Sequence, residues 1–161
     1  MSQSNTQTNL TTEYAYDGFG RQIAITDTLG KVTRYEYDDA GRLIRGIENY
    51  TTNPALGANE YNLVTTYGYD EFGRVNRVTD TLGYVSLTQY DAVGRIERTI
   101  ANYQDGIYDA NYPDQDIITR FAYDSNSNLV STIDILGRET RTEYDTLNRV
   151  SRTIVNYQDG E

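Results

Sequence analysis

The sequence predicts an all-β protein, an antiparallel β-meander repeat of about twelve strands in three units of four. Three observations carry this. A Tyr-Asp dipeptide recurs six times, at Tyr16-Asp17, Tyr37-Asp38, Tyr69-Asp70, Tyr90-Asp91, Tyr123-Asp124 and Tyr144-Asp145. The steps between these tyrosines alternate, 21, 32, 21, 33 and 21 residues, so the true period is 53 to 54 residues and marks a repeat architecture. Turn signals interrupt the chain about every ten residues, and no apolar helical period survives between them.

Each Tyr-Asp opens an Asp-x-x-Gly stretch: Asp17 to Gly20, Asp38 to Gly41, Asp70 to Gly73 and Asp91 to Gly94. A second set follows at Asp27 to Gly30, Asp80 to Gly83 and Asp134 to Gly137. An Asp at the first position of a type I turn accepts a hydrogen bond from the backbone two residues ahead. Glycine in the fourth place takes positive φ at low steric cost, which suits a bulged hairpin turn. Asn148 fills the glycine slot after Asp145, and Ser127 fills it after Asp124, where Asn126 and Asn128 are expected to carry the turn instead.

The segments between turns are rich in Thr, Tyr, Val and Ile and read as strands. They span 11–16, 21–26, 31–37, 42–50, 62–69, 74–79, 84–90, 95–103, 117–123, 128–133, 138–144 and 149–157. A polar segment, 1–8, precedes three repeat units at 9–61, 62–116 and 117–161. Alternation puts Tyr14 with Tyr16, Tyr35 with Tyr37, Tyr67 with Tyr69 and Phe121 with Tyr123 on a face expected to be buried, opposite Glu36, Gln89 and Glu143. In the last strand of each unit, Leu43, Arg45 and Ile47 share a face, as do their counterparts Ile96, Arg98 and Ile100, and Val150, Arg152 and Ile154. An arginine so placed either stacks over a tyrosine or snorkels to the rim.

Composition narrows the function. The chain holds sixteen Tyr, three Phe and no Trp, so tyrosine rings supply much of its apolar burial. A formal charge of −10 excludes a nucleic-acid partner of the phosphate-binding kind. With no His and no Cys, the commonest general base, the thiolate nucleophile and the usual metal ligands are missing, and no cofactor is expected. No apolar run approaches a membrane span, and the first residues do not read as a secretory signal.

The remaining candidates for chemistry are acidic. Carboxylate pairs do glycoside hydrolysis, but nine of the Asp residues open turns in register, whereas a catalytic acid is needed once, in one pocket. Asp105, Asp109, Asp114 and Asp116 crowd one variable loop and could bind Ca²⁺, although the spacing matches no EF-hand and reads as a solvated acidic loop. The arginines that follow the turn glycines are expected to pair with acids of a neighbouring unit. The prolines, Pro54 and Pro113, lie in the two long connections, where function on a repeat scaffold tends to sit.

The run Tyr-Asp-x-x-Gly-Arg stands at Tyr16 to Arg21, Tyr37 to Arg42, Tyr69 to Arg74 and Tyr90 to Arg95. With its six Tyr-Asp iterations the chain resembles the YD repeats of Rhs proteins, a family that takes in bacterial polymorphic toxins, insecticidal toxin-complex shells, wall-associated proteins and teneurins. The resemblance implies β-meanders that spiral into a hollow shell, an extracellular or cell-surface setting, and a non-catalytic structural role for Tyr16, Asp17, Gly20, Arg21, Tyr37, Asp38, Gly41, Arg42, Tyr69, Asp70, Gly73, Arg74, Tyr90, Asp91, Gly94, Arg95, Tyr123, Asp124, Tyr144 and Asp145.

The function expected is therefore a segment of a shell or wall that encloses or displays something else. The units begin and end at one phase, so the expected partners are flanking repeats of a longer parent or further copies of the chain stacked head to tail into a filament. A glycan, stacked on exposed tyrosines, is the third candidate partner.

Overall fold

The structure, a computed structural model, describes residues 10–53 and 60–158. The polar segment 1–8 and Pro54 lie outside them. Twelve strands follow one another: β1 (Glu13–Tyr16), β2 (Gln22–Thr26), β3 (Val32–Tyr37), β4 (Leu43–Glu48), β5 (Leu63–Tyr69), β6 (Val75–Thr79), β7 (Val85–Tyr90), β8 (Ile96–Ala101), β9 (Ile117–Tyr123), β10 (Leu129–Ile133), β11 (Glu139–Tyr144) and β12 (Val150–Tyr157). Each lies within two residues of the expected span. The sheet order is the chain order, the pairing is antiparallel, and the described residues form no helix. None of them therefore makes a helix long and apolar enough to cross a membrane.

The chain divides into two compact units, residues 1–67 and 68–161. In the first, β1 to β4 and the start of β5 make an antiparallel meander around buried Ile47, which pairs with Val64. In the second, Ile100 and Ile118 face each other across β8 and β9 and form the buried apolar centre, with Ser131 also buried.

The two kinds of hairpin differ in register. The β2–β3, β6–β7 and β10–β11 hairpins, closed by the second set of turns, pair without a shift. The Tyr-Asp hairpins β1–β2, β3–β4, β7–β8, β9–β10 and β11–β12 carry a bulge. Tyr37 opposes Leu43 while Glu36 opposes Arg45, so Ile44 is the extra residue. Glu97 is the extra residue between Ile96 and Arg98, and Ser151 between Val150 and Arg152. A bulge sets two residues against one and reverses the facing of what precedes it. It therefore corrects the expected alternation: Leu43 does not share a face with Arg45 and Ile47.

Among the described residues the arginines of this face stack on no ring, and each instead reaches a polar side chain on the neighbouring strand. Arg45 pairs with Glu36 at 3.0 Å, Arg98 donates from Nε to Gln89 Oε1 at 3.0 Å, and Arg152 lies 3.7 Å from Glu143. Each is the direct cross-strand neighbour of its partner. The tyrosine face is also less enclosed than expected. Tyr37, Tyr69, Tyr90, Tyr123 and Tyr144 are half-buried, and Tyr14 and Tyr16 are exposed. A single sheet layer has nothing to close over a whole ring, which leaves the hydroxyls free to reach backbone at the strand ends.

Candidate functional site

The repeated turn is built by its first residue. At Asp70, Oδ1 accepts the backbone N–H of Phe72 and of Arg74, each at 2.9 Å, and Oδ2 accepts Arg74 Nε at 2.7 Å. The Gly73 N–H closes the turn on Asp70 O at 3.0 Å, and Gly73 sits at φ 79°. The arrangement repeats at Asp17 with Arg21, Asp91 with Arg95, and Asp145 with Arg149. Asp38 likewise holds Arg42 at 2.7 Å. Gly20, Gly41 and Gly94 also take positive φ. The arginine thus pairs with the Asp of its own turn, four residues back, and not with a neighbouring unit. A strand start that follows the bulged turn folds the side chain back over the loop it has just left.

The same guanidinium then reaches the next Tyr-Asp strand. Arg21 lies 4.8 Å from the centre of the Tyr37 ring, Arg74 4.2 Å from Tyr90, and Arg95 4.6 Å from Tyr123. The covered tyrosine donates its hydroxyl to the carbonyl just after that arginine: Tyr37 to Gln22 O at 2.8 Å, Tyr90 to Val75 O at 2.8 Å, and Tyr123 to Ile96 O at 3.0 Å. These carbonyls lie where the ladder gives out, since β2 and β3 pair only from Thr26↔Val32 to Ala24↔Arg34. Arg21 Nη1 and Arg95 Nη1 also donate to the carbonyls of Asp38 and Asp124, at 3.3 and 3.2 Å. A Cβ at Gly94 would meet Arg74 Nη1 at 3.2 Å, so the next turn's glycine also makes room for this reach. Asp, Arg and Tyr form a relay from one hairpin to the next.

The turn at Asp124 varies the theme. Asn128 stands where the arginine would be and donates Nδ2 to Asp124 Oδ2 and to Asn148 Oδ1, both at 2.9 Å. Tyr144 keeps its hydroxyl bond, to Leu129 O at 3.0 Å. Ser127 itself takes the positive φ, 66°, which corrects the expectation that its asparagine neighbours carry the turn.

The carboxylates are tuned by these contacts. At Asp17, Asp70 and Asp91 desolvation pushes the pKa up, but the N–H groups and guanidinium of the following arginine outweigh it and leave the group below its ordinary value. Chief among the lowering causes are the Arg42 backbone N–H at Asp38, the Asn128 carboxamide at Asp124 and the arginine side chain at Asp134 and Asp145. All are held ionised as hydrogen-bond acceptors. A general acid requires the opposite shift.

The long connections are tied by asparagines that the sequence showed only as repeated positions. Asn49 and Asn102 leave their strands at φ 49° and 47°. Their carbonyls accept the N–H groups of Asn62 and Asp116, and their Nδ2 groups donate to Glu60 O and Asp114 O. Asn62 exchanges two side-chain bonds with the Thr51 backbone, at 2.9 and 3.1 Å. Its counterpart Asp116 is 3 % exposed and accepts the Gln104 and Gly106 N–H groups on Oδ1, both at 2.9 Å. Burial alone raises the Asp116 pKa, and the surrounding N–H groups more than reverse it. Of the other loop acids considered for Ca²⁺, Asp105 and Asp109 accept the local N–H groups of Ile107 and Asn111. The carboxylate at the centre of the loop therefore faces backbone donors.

Comparison with known proteins follows the same line. The RHS Repeat family model matches residues 16–48. Double-stranded DNA deaminase toxin A of Burkholderia cenocepacia (strain H111) is 31 % identical over 148 residues, a match that takes in 84 % of this chain and 9 % of the relative. The crystal structure of TcdB2-TccC3-Cdc42 is similar over 96 % of this chain at 18 % identity, with a TM-score of 0.51. The Photorhabdus luminescens Tc holotoxin pore is similar over 96 % at 17 % identity, with a TM-score of 0.50. This chain spans 9 % of the length of each of those chains, and at such identities the likeness is one of fold. Taken with the six Tyr-Asp turns and the meander they close, these matches show that the chain belongs to the YD-repeat, or RHS-repeat, family.

Proposed function

We propose that this chain is a non-catalytic structural module, a stretch of RHS-repeat wall that encloses or displays another part of a longer extracellular or cell-surface protein. The observation that carries the reading is the relay. The repeated Asp is occupied by its own turn, Arg21, Arg74 and Arg95 are each occupied by that Asp and the next Tyr, and these recurring residues are thereby engaged in joining hairpin to hairpin. The three-unit division at 9–61, 62–116 and 117–161 follows the same period.

The deaminase named in the relative does not transfer. Zinc nucleobase deaminases hold their metal with His and Cys, and this chain has neither. Its charge of −10 also opposes binding to DNA. The test is an assay of the purified chain for deamination of double-stranded DNA and for glycoside, ester and peptide hydrolysis. Background rates are expected. Turnover lost in Asp109→Asn or Asp114→Asn would overturn the reading.

A second reading, head-to-tail assembly, is favoured by one feature. By the register of β8 on β9, β12 of one copy would set Arg152 opposite Glu13 of the next, an opposite-charge pair where the chain itself sets Arg98 opposite Arg120. Sedimentation should then show association that rises with protein concentration and with salt, which screens the like net charges. A monomer under both conditions would remove this reading and leave the first intact.

A further inference from the structure

One place in the scaffold lacks a carboxylate that its counterparts contain. On the first unit, Glu36, Arg45 and Thr66 stand side by side across three strands. The third repeat sets Glu143 beside Arg152. At the equivalent place in the second repeat the row reads Gln89, Arg98, Arg120 and continues to Ile133. The acid has become a neutral amide, and the threonine has become a second arginine. Two like charges directly opposite each other on neighbouring strands are unfavourable by themselves. Arg98 has only the Gln89 carbonyl oxygen as a side-chain acceptor, and neither arginine makes an ion pair among the described residues, although the chain as a whole is strongly acidic.

A cleft of about 480 Å³ lies over this pair, lined by Gln89, Glu97, Arg98, Arg120, Ser131 and Ile133. Glu97, the extra residue of the β7–β8 bulge, lines it without forming an ion pair to either arginine among the described residues. Ser131 is buried and adds a hydroxyl to the floor, and Ile133 supplies an apolar wall.

We propose that Arg98 and Arg120 form a binding site for a carboxylate, specifically the side chain of a glutamate presented by an acidic peptide segment. Two adjacent guanidinium forks match the two oxygens of a carboxylate and are relieved of mutual repulsion when it binds. The sister rows indicate which acid: the group that meets the arginine at Arg45 and at Arg152 is in each case a glutamate side chain. The site goes beyond the wall reading and is independent of it, since a catalytically inert scaffold could bind peptide or not.

The test uses the chain labelled with ¹⁵N-arginine and follows the Nε–Hε signals on titration with three probes: the blocked tripeptide acetyl-Gly-Glu-Gly-amide, glucuronate and inorganic phosphate. Saturable shifts are expected at Arg98 and Arg120, tightest for the peptide, with no saturable response at Arg45 or Arg152. Gln89→Glu fills the slot from within and should weaken the peptide about tenfold or more; Arg120→Thr restores the composition of the first unit and should do the same. Melting curves confirm that both variants remain folded. Absent saturation, equal response at Arg45, or unchanged binding in both variants would overturn the site. Tighter binding of glucuronate or phosphate would overturn its assignment to a peptide glutamate.

Discussion

Arg74 covers Tyr90 at 4.2 Å while its Nε is held by Asp70 at 2.7 Å, so a residue of one turn is fixed by that turn and spent on the next strand. Repeat proteins are stabilised mainly by contacts between neighbouring elements, and here Arg21, Arg74 and Arg95 add a side-chain contact of that kind to the backbone ladder. The tyrosine completes the circuit by returning its hydroxyl to Val75 O, immediately after the arginine that covers it. Asp sets the rotamer, Arg carries the reach, and Tyr caps the carbonyl left where the ladder stops.

Removing the carrier should therefore cost more than an ion pair at the surface. Arg74→Ala is expected to destabilise the chain by about 1 kcal/mol or more, the worth of a partly desolvated cation–π contact. Arg149 makes the same bond to Asp145, but its side chain is 73 % exposed. Arg149→Ala should leave the urea midpoint nearly unchanged. Equal shifts for the two variants would show that the ion pair, and not the stacking, stabilises the repeat.

The hydroxyl makes a separate contribution. Tyr90→Phe keeps the ring under Arg74 and leaves Val75 O without its donor, a loss expected near 1 kcal/mol. Tyr14→Phe, on exposed β1, is the control and should be neutral. A double variant, Arg74→Ala with Tyr90→Phe, should cost less than the two singly added, because the residues share one contact.

The contrast between what was legible and what was not follows the range of each interaction. Strand spans and turns are local: an Asp that accepts the N–H two residues on, and a glycine at positive φ, announce themselves within four residues. The bulges do not, because Ile44 is an unremarkable strand residue until Glu36 is seen opposite Arg45. The expected alternation failed there. Sequence shows spacing and not rotamer, so it points the arginine at the acids of a neighbouring unit, and only the bulged turn folds Arg74 back onto Asp70. Asp116 looked like one more loop acid; nothing local distinguishes it, and its role depends on Gln104 and Gly106 arriving from the far side of the loop. Its alignment with Asn62, a backbone clamp in the other long connection, was the one signal available.

Turn conformation gives a third prediction. Gly73 sits at φ 79° in open space, so a side chain there meets strain and not collision. Gly73→Val should cost about 1–2 kcal/mol, because a β-branched residue resists the left-handed region. Gly18 is equally open and has no positive φ, and Gly18→Val should cost much less. Conversely, Ser127→Gly relieves a non-glycine residue at φ 66° and should raise the melting temperature, less whatever its bond from Arg95 contributes. Matching midpoints for the two valine variants would undo the assignment of strain to the turn.

The buried carboxylate makes the loop of the second unit sensitive to acid. Asp116 and the turn aspartates Asp17, Asp38, Asp70, Asp91, Asp124, Asp134 and Asp145 titrate below the ordinary carboxylate value in the folded chain. A folded-state pKa below the unfolded one gives stability that is complete above roughly pH 4 and is lost as pH falls through the lowered values. Unfolding should accordingly begin only under pH 4, and stability should be nearly flat from there to neutrality. Within the loop, amide hydrogen exchange isolates the Asp116 share. The N–H groups of Gln104 and Gly106 should be protected in the parent chain, since both point at Asp116 Oδ1. Asp116→Ala leaves them with no acceptor and should expose them to exchange. Asp116→Asn retains one carbonyl oxygen in the same place, as Asn62 does for the Thr51 N–H, so protection should largely survive at neutral pH. That variant should also lose part of the acid sensitivity, because its acceptor cannot be protonated in this range. Fast exchange in Asp116→Asn would mean that the negative charge, and not the geometry of acceptance, holds the loop closed.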